Sequence, residues 1–379
     1  MIKDLRQLLI ILFPLILLIT LVNYNIDPGN IFKTRRFEKN IEKTLQSGRN
    51  AAFAITMSQV DEVKLLRDTI QTFSKPKHLV VIGSSRSFAI NSSLFPNTSF
   101  YNASISSCSL ADMFAIYHLF EKAHLEPKNI ILSIDPEFFI SDYFPRDELY
   151  DDFHAASKVM GIKFSKRKLI IQQLTRMQNR LMKFLEVVSP AYFQNSIKFL
   201  LFSQNKIPFK ELEKGQGINL KKMTWWDTTD ITAPGGIIFP DGSREWSQFS
   251  LAMDENTKKT VVLKQIEESK RFRLKNQRIK DRNQFIFKHF IEHLQKNNIH
   301  VVFFLSPYHP ISHNYERKKF KHPITINCEK YIRELANAYH IKVIGSYKLK
   351  PLGLKAEDML DEHHIKREAA VKIFNQAKN

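Results

Sequence analysis

Short apolar runs alternate with helical stretches along this sequence, and that alternation restricts the fold more than any other feature. The runs lie at residues 78–83, 129–134, 300–305 and 341–344. Their length and composition are typical of strands that are buried on both faces. Because strands that alternate with helices form βαβ units, we predict an α/β fold in three layers, with a parallel sheet between two layers of helices.

Helices are predicted where apolar residues recur at helical spacing around these strands. They lie at residues 60–73, 109–123, 257–297, 325–339 and 364–376. In a parallel sheet of this kind, reactive groups collect at the carboxyl ends of the strands. The residues that follow each strand are therefore the first place to look for a functional site.

One long stretch breaks the alternation. Residues from about 141 to 256 are aromatic and basic, and they contain a turn signal at Pro240-Asp241-Gly242. We interpret this stretch as a helical or irregular insertion in an α/β domain that spans residues 76–379. Residues 27–75 form a predicted helical linker region between that domain and an N-terminal segment, residues 1–26.

The N-terminal segment has the pattern of a membrane anchor. No residue from Gln7 to Ile26 is charged. A helix of that length reaches about 30 Å, the thickness of the apolar core of a bilayer, and Pro14 is compatible with such a helix in lipid. Basic residues precede the run as in a signal peptide, but no small-residue cleavage site follows it, which favours an uncleaved anchor over a cleaved signal. The basic residues after the run do not favour export of the rest of the chain.

The charge of the chain is strongly positive and unevenly distributed. There are 57 Lys and Arg residues against 38 Asp and Glu residues, a formal charge of +19. The excess is concentrated between Gly161 and Lys222, with 13 basic and 3 acidic residues, and between Lys258 and Arg282, with 10 and 3. A localised positive field attracts polyanions, although a solvated basic surface has the same pattern. The basic stretches contain no recognised nucleic-acid-binding motif, so nucleic acid is not a predicted partner.

Two motifs at predicted strand ends contain the residue types of nucleophilic catalysis. Gly83-Ser84-Ser85-Arg86 follows the first strand, where glycine permits a sharp turn that presents a serine hydroxyl at the sheet edge. Near the C-terminus, Asp361 precedes His364 by three residues. An aspartate at this spacing can hold an imidazole through Nδ1 while the other nitrogen takes a proton from a serine. The alternatives are an ordinary Gly-Ser turn and a helix-capping aspartate, and His363 is a second candidate base.

A third segment lies between the first two predicted strands. Small and polar residues from Phe100 to Ser109 lead into the helix at residues 109–123. Backbone N–H groups in such a segment can point at an oxyanion that develops during acyl transfer.

Together these blocks resemble the SGNH/GDSL hydrolase superfamily. Gly83-Ser84-Ser85 matches its Gly-Asp-Ser block, with Ser85 in the nucleophile position. Asn102–Ser107 matches a block that commonly reads Asn-Ala-Ser-Ile-Ser-Gly, and Asp361 with His364 matches the terminal Asp-x-x-His block. The resemblance implies a flavodoxin-like sheet, a catalytic triad of Ser85, His364 and Asp361, and an oxyanion hole formed by the backbone N–H groups of Ser85 and Ser107.

The sequence departs from the family pattern at particular positions. Ser84 stands where these hydrolases usually have Asp, and Ser107 replaces the glycine of the oxyanion hole. Asp135 follows the second strand, where the third block of the family has Asn. These departures affect the expected oxyanion hole more than the expected triad.

The anchor and the large insertion narrow the resemblance to membrane-anchored SGNH-like proteins that acylate bacterial envelope glycans. That group includes the D-alanyl-lipoteichoic acid biosynthesis protein and the alginate O-acetyltransferase proteins. The likeness covers about residues 79–140 and 299–374. It implies an extracytoplasmic O-acyltransferase domain, an envelope glycan or other polyanion as acceptor, and a multispanning membrane acyltransferase as a partner that supplies the donor.

Further residues are candidates for substrate binding: Arg86, Asn102, Asp135 and His309. Arg86 would bind an anionic group or form a structural salt bridge. His309, which follows the third strand, would line the pocket or cap a turn. Tryptophans of the insertion would stack on sugar rings or form its core: Trp225, Trp226 and Trp246. No histidine spacing indicates a metal, and we predict no cofactor.

Two other functions fit the same residues. A carbohydrate or lipid esterase would use the same triad and pass the acyl group to water. A tethered polyanion-binding protein on a degenerate hydrolase fold would account for Ser84 and Ser107. Both catalytic interpretations require the Ser85 hydroxyl to contact the His364 imidazole, which makes that contact the decisive geometric expectation.

Overall fold

The computed structural model of the chain describes residues 2–27, 31–32, 36–48, 50–53, 61–140, 145–162, 166–203, 209–212, 236–246, 253–269, 272 and 278–377. The strands are β1 (Asn50–Phe53), β2 (Leu79–Ile82), β3 (Phe100–Asn102), β4 (Asn129–Ser133), β5 (Phe209–Leu212), β6 (Gly236–Ile238), β7 (Arg244–Trp246), β8 (His300–Leu305) and β9 (Lys342–Gly345). The helices are α1 (Ile2–Ile26), α2 (Arg36–Gln46), α3 (Glu62–Gln71), α4 (Leu110–Lys122), α5 (Tyr150–Val159), α6 (Lys166–Leu185), α7 (Pro190–Ser203), α8 (Glu255–Glu268), α9 (Asp281–Lys296), α10 (Pro310–Lys319), α11 (Ile324–Ala338) and α12 (Arg367–Gln376).

The chain divides into two compact units. The first unit contains Met1–Asp61 and Phe164–Gly235, and the second unit contains Glu62–Lys163 and Gly236–Asn379. The stretch that we interpret as an insertion, residues 141–256, therefore contributes to both units. The residues predicted for the triad, the oxyanion hole and substrate binding belong to the second unit: Ser85, Arg86, Asn102, Ser107, Asp135, His309, Asp361 and His364.

The second unit contains the predicted parallel sheet. Its strand order is β3-β2-β4-β8-β9, and each neighbouring pair is parallel. The chain adds β3 on one side of β2 and then crosses to add β4 on the other side. The carboxyl ends of β2 and β4 therefore form a topological switch point, the place where ligands bind in open α/β sheets.

Helices pack on both faces of this sheet. On one face, the ring of Phe304 from β8 stacks on Phe374 of α12, with the centroids 5.5 Å apart. The next residue along the strand, Phe303, points to the other face and lies 5.6 Å from the ring of Phe287 in α9. The structure thus confirms an α/β fold with a parallel sheet that is covered on both sides.

The predicted strands appear as β2, β4, β8 and β9. The predicted helix at residues 109–123 is also confirmed as α4. The Ser109 hydroxyl accepts the N–H of Asp112 at 3.1 Å, and the Asp112 carboxylate accepts the N–H of Ser109 at 2.8 Å. This capping box fixes where α4 begins.

Two elements differ from the sequence predictions. The helix predicted at residues 257–297 is two helices, α8 and α9; among the described residues between them, Ser269 and residues 278–280 are not helical. The edge strand β3 was not predicted, since its three residues are too few to show a period. The Pro240-Asp241-Gly242 signal is confirmed as the turn that joins β6 to β7.

In the first unit, α1 is held at its C-terminal end by side-chain hydrogen bonds. The Asn23 amide donates to the carbonyls of Val187 and Ser189, each at 3.0 Å. The Tyr192 hydroxyl of α7 donates to Asp27 at 2.6 Å. These contacts join the end of α1 to the segment that follows α6. Elsewhere in this unit, β1 pairs with β5 in antiparallel fashion.

The predicted membrane anchor coincides with α1, which contains Pro14. Within the part of the chain that the structure describes, no helix combines the length and the apolar character that crossing a bilayer requires. The anchor stays a prediction.

Candidate active site

Ser85, His364 and Asp361 form one chain of hydrogen bonds. Ser85 Oγ lies 2.8 Å from His364 Nε2, and His364 Nδ1 lies 2.7 Å from Asp361 Oδ2. An ionised carboxylate only accepts hydrogen bonds, so Nδ1 bears the proton and Nε2 accepts the Ser85 hydroxyl. The structure brings these residues together although Ser85 and His364 are 279 positions apart in the sequence.

The Ser85 turn depends on the close approach of β2 and β4. A Cβ atom on Gly83, directly after β2, would lie 2.4 Å from the Cβ of Ser133 at the end of β4. Only glycine fits at that distance. The Ser84 hydroxyl then accepts the N–H of Arg86 at 3.3 Å and caps the single helical turn that contains Ser85, which is partly exposed.

Asp361 uses its two carboxylate oxygens differently. Oδ1 accepts the backbone N–H groups of His363 and His364, each at 2.9 Å, whereas Oδ2 faces the His364 ring. The residue therefore caps its own turn and orients the imidazole at the same time. It does not cap α12, which begins at Arg367 after Lys366.

The local electrostatics favour a neutral base beside a charged acid. Burial lowers the pKa of His364, and Asp361 only partly opposes that shift. Burial would raise the pKa of Asp361, but the charges of His364 and His363 and the hydrogen bonds to it hold its pKa well below the ordinary range. For His363, burial is outweighed by Asp361 and Glu362, which raise its pKa. His364 is thus the residue prepared to accept a proton near neutral pH.

The segment that resembles an oxyanion loop lies beside this turn. The N–H of Ile105 donates to the carbonyl of Gly83 at 3.1 Å. Ser107 is two residues after Ile105, and Ser85 is two residues after Gly83. Ser107 has a φ of 49°, in the left-handed region that favours glycine. Within the described residues, the N–H groups of Ser85 and Ser107 donate to no protein acceptor. Both amides are thus available to an oxyanion.

A buried glutamate supports the same loop, and sequence reasoning missed it. Glu62 of α3 accepts the N–H of Ser106 at 2.8 Å and the Ser106 hydroxyl at 2.9 Å. Arg244 forms an ion pair with Glu62, and Arg146 donates to the carbonyl of Ser106. The residue before Ser107 is therefore held through its backbone N–H, its side chain and its carbonyl.

Arg86 and Asp135 form a buried ion pair, with Nη1 and Oδ1 3.1 Å apart. Arg86 also donates to the carbonyl of Ser306, and its guanidinium lies 3.8 Å from the centre of the Tyr308 ring. Burial raises the pKa of Asp135, and Arg86 opposes the rise. Of the two roles predicted for Arg86, the structure shows the structural salt bridge, and Asp135 is its partner.

Asn102 lies inside the fold, and its polar atoms are used by the backbone. Its amide donates to the carbonyls of Ser87 and Ile90, each at 2.8 Å, and its oxygen accepts the N–H of Ser104 at 3.0 Å. These bonds give Asn102 a role in holding the chain that follows Ser85. They leave its amide no donor for a substrate.

His309 is buried at the beginning of α10. The ring nitrogen Nδ1 of His309 accepts the N–H of Ile311 at 3.3 Å, and the backbone N–H of His309 donates to the carbonyl of Glu362 at 2.8 Å. Burial and the charge of Lys258 lower its pKa. His309 therefore caps a helix and binds the segment that carries Asp361, which is closer to the capping alternative than to a pocket lining.

Trp246, at the end of β7, lies against the imidazole of His364. The centroid of its ring is 4.3 Å from that of His364. The hairpin that carries it is fixed to the sheet, because the carbonyl of Asp241 accepts the N–H of Asn102 at 2.7 Å. Trp225 and Trp226 lie outside the described residues.

Gln265 of α8 is a second supporting residue that the sequence did not indicate. Its Nε2 donates to Asp361 Oδ2 at 3.2 Å, and its Oε1 accepts the N–H of Glu362 at 2.9 Å. The amide thus holds both the carboxylate and the backbone of the Asp361 turn. Nothing in the local sequence of a long helix marks such a residue, since the contact spans 96 positions.

The same turn contains a set of possible metal donors. One ligand atom from each of Asp361, His363 and His364 lies within 4.8 Å of the others. His364, however, already uses Nδ1 toward Asp361 and Nε2 toward Ser85. A metal at this position would have to break the contact between His364 and Asp361 or the contact between His364 and Ser85.

Comparison of the sequence with protein-family models and with curated protein sequences finds no match. The resemblance to SGNH hydrolases stays a prediction drawn from the motif blocks. The hydrogen-bonded geometry of Ser85, His364 and Asp361 is what identifies the candidate site.

Proposed function

We propose that this chain is a serine-dependent acyltransferase of the SGNH type, which passes an acyl group through Ser85 to a hydroxyl of a cell-envelope glycan. The observation that supports it is the unbroken hydrogen-bonded path from Ser85 Oγ through His364 to Asp361. Ser85 follows β2 at the switch point of the sheet, which is where reactive groups collect in α/β folds.

In the first half-reaction, Ser85 Oγ attacks the carbonyl carbon of an acyl ester or thioester donor. The hydroxyl proton moves to His364 Nε2, and Asp361 stabilises the imidazolium. The backbone N–H groups of Ser85 and Ser107 bind the oxyanion. When the intermediate collapses, the bond to the leaving alcohol or thiol breaks, His364 protonates that group, and the acyl group stays on Ser85.

In the second half-reaction, a hydroxyl of the acceptor attacks the acyl-serine carbonyl. His364 takes the hydroxyl proton and returns it to Ser85 Oγ as the new ester leaves. Trp246 lies beside His364, and its aromatic ring offers a surface of the kind that packs on the apolar face of a sugar. An acceptor sugar held there would place a hydroxyl near Nε2. Water in the same place would make the enzyme an esterase.

The test of the triad is acylation of the full chain by a chromogenic acetyl ester. Ser85→Ala and His364→Ala should lower turnover at least about 10³-fold. Ser92→Ala, an exposed serine a few residues further on, should retain turnover. Retention of turnover in Ser85→Ala with a native circular dichroism spectrum would refute the proposal.

Two further arms of this experiment separate the alternatives. Addition of a glycan acceptor should increase release of the chromophore and yield an acetylated glycan by mass spectrometry, whereas an esterase yields only acetate. A chelator such as EDTA should leave turnover unchanged, because the proposed mechanism uses no metal. Absence of ester turnover in the parent protein would leave the non-catalytic polyanion-binding interpretation.

The proposal includes an N-terminal anchor and an extracytoplasmic domain, and a multispanning membrane acyltransferase as donor partner. Support comes from the uncharged run at Gln7–Ile26 and from the family resemblance of the motif blocks. Fusion of alkaline phosphatase, which is active only outside the cytoplasm, to the C-terminus tests the orientation. An active fusion is expected; an inactive fusion of normal abundance would contradict it.

A further inference from the structure

Helix α6 in the first unit exposes an apolar stripe. Its exposed apolar side chains are Ile170, Ile171, Leu174, Met177, Leu181, Met182, Phe184 and Leu185, with 47% to 71% of each surface accessible. At about 100° per residue these positions fall within one arc of the helix. A helix of a globular unit normally buries such an arc, so the exposure of this stripe needs a separate explanation.

The same helix is basic. The sequence of α6 contains six Lys and Arg residues and no Asp or Glu. By helical spacing, Arg176, Arg180 and Lys183 lie on the side opposite Leu174 and Leu181. A helix with an apolar face and a basic polar face has the composition of a helix that lies in a membrane interface.

A second set of exposed apolar side chains lies in the same unit, on α1. Eight apolar side chains of α1 are exposed to between 37% and 70%: Ile10, Leu12, Phe13, Leu15, Ile16, Leu17, Leu18 and Leu21. The Asn23 amide binds the carbonyls of Val187 and Ser189, directly after α6 ends. The C-terminal end of α1 is therefore joined to the segment that directly follows α6.

We propose that α6 lies in the interface of an anionic lipid bilayer and docks the first unit on the membrane. A bilayer interface offers apolar chains to the stripe and anionic headgroups to the basic side. A polyanionic glycan or a nucleic acid would satisfy the charge but leave the stripe exposed. This docking does not depend on catalysis, and it holds whether or not α1 crosses the bilayer.

The test places an environment-sensitive fluorophore on α6 of the full chain. Met177→Cys puts the label on the apolar stripe, and Asn179→Cys puts a matched label on the opposite side of the same helix. The native Cys108 and Cys328 are buried and free, so labelling of the folded protein is confined to the new thiol. The labelled proteins are diluted from detergent into vesicles of phosphatidylcholine, with or without phosphatidylglycerol.

With phosphatidylglycerol, the label at position 177 should shift to shorter wavelength, brighten several-fold and be quenched by brominated acyl chains. The label at position 179 should stay near its wavelength in buffer. Equal responses of the two labels, or no response, would overturn the proposal. A full response at position 177 in phosphatidylcholine alone would overturn its anionic component. A response without vesicles that grows with protein concentration would assign the stripe to a second copy of the chain.

The charge contribution is tested with paired variants. Arg180→Gln with Lys183→Gln should raise severalfold the phosphatidylglycerol content needed for the half-maximal response at position 177. Lys318→Gln with Lys321→Gln removes the same charge from exposed sites in the second unit and should leave that content unchanged. Equal effects of the two pairs would show that only net charge matters and would overturn docking through α6.

Discussion

The side-chain amide of Gln265 donates to Asp361 Oδ2, the same carboxylate oxygen that faces Nδ1 of His364. A residue of helix α8 thus holds the acid of the candidate triad in the orientation that the imidazole needs. The amide oxygen of Gln265 accepts the backbone N–H of Glu362 and fixes the backbone of the Asp361 turn. Gln265 touches none of the reacting atoms and acts as a positioning residue.

Replacement of Gln265 should change the pH dependence as well as the rate. Loss of one hydrogen bond to a charged group costs about 1.5–3 kcal/mol, so Gln265→Leu should lower kcat roughly 10- to 100-fold with little change in KM. Gln265→Glu adds negative charge beside Asp361, which favours the imidazolium and should move the acid limb of kcat/KM to higher pH. An unmoved limb in Gln265→Glu, with normal folding, would show that the residue has only a structural role.

The pH profile of the parent protein follows from His364. Burial lowers its pKa, and only the neutral ring can accept the Ser85 proton. The acid limb of kcat/KM should therefore have a midpoint below about 6.5, the ordinary value for histidine. His363 contributes to that lowering, so His363→Gln should raise the midpoint. A parent midpoint above 7 would contradict the neutral-base assignment.

The lowered pKa of His364 also makes the stability of the folded protein depend on pH. Because His364 binds its proton more weakly in the folded state than in the unfolded state, its contribution to stability is lost as pH falls from about 6.5 through the folded pKa. Urea unfolding at a series of pH values should show this loss in the parent protein. The loss should be smaller in His364→Gln, which has no titrating ring.

The sheet and the residues of the candidate triad could be predicted because both follow from local patterns. The strands β2, β4, β8 and β9 are apolar runs of recognisable length, and the spacing of Asp361 and His364 is a local property. Glu62 and Gln265 could not be predicted in the same way. Each is an ordinary polar residue of a helix, and its role arises from a contact that spans 44 or 96 positions.

The close approach of β2 and β4 predicts a specific steric effect. In Gly83→Ala the new Cβ would lie 2.4 Å from Ser133 Cβ. We expect a loss of about 1–3 kcal/mol in the free energy of unfolding and a displaced Ser85 turn with reduced turnover. Adding Ser133→Gly should recover part of both, because it removes the nearest clashing atom and leaves only the contact of the new Cβ with Ser87 Oγ at 2.8 Å. Additive losses in the double variant would contradict direct coupling.

The buried ion pair between Arg86 and Asp135 predicts that losing one partner costs more stability than losing both. Arg86→Met leaves the Asp135 carboxylate buried without its partner and should cost about 3–5 kcal/mol in urea unfolding. Arg86→Met combined with Asp135→Leu should be considerably more stable than Arg86→Met alone. A loss below about 1 kcal/mol in the single variant would show that Asp135 is not held as a charged partner of Arg86.

The backbone conformation of Ser107 predicts that turnover depends on its N–H group and not on its side chain. A residue other than glycine in the left-handed region costs about 1–2 kcal/mol, and Ser107 occupies that region with a φ of 49°. Ser107→Gly should therefore keep its turnover and equal or exceed the parent in stability, since an oxyanion hole needs only the N–H. Ser107→Val should lose stability and turnover together, because a β-branched side chain is most strained there. A tenfold loss of turnover in Ser107→Gly, with unchanged folding, would show that the reaction uses the Ser107 hydroxyl instead.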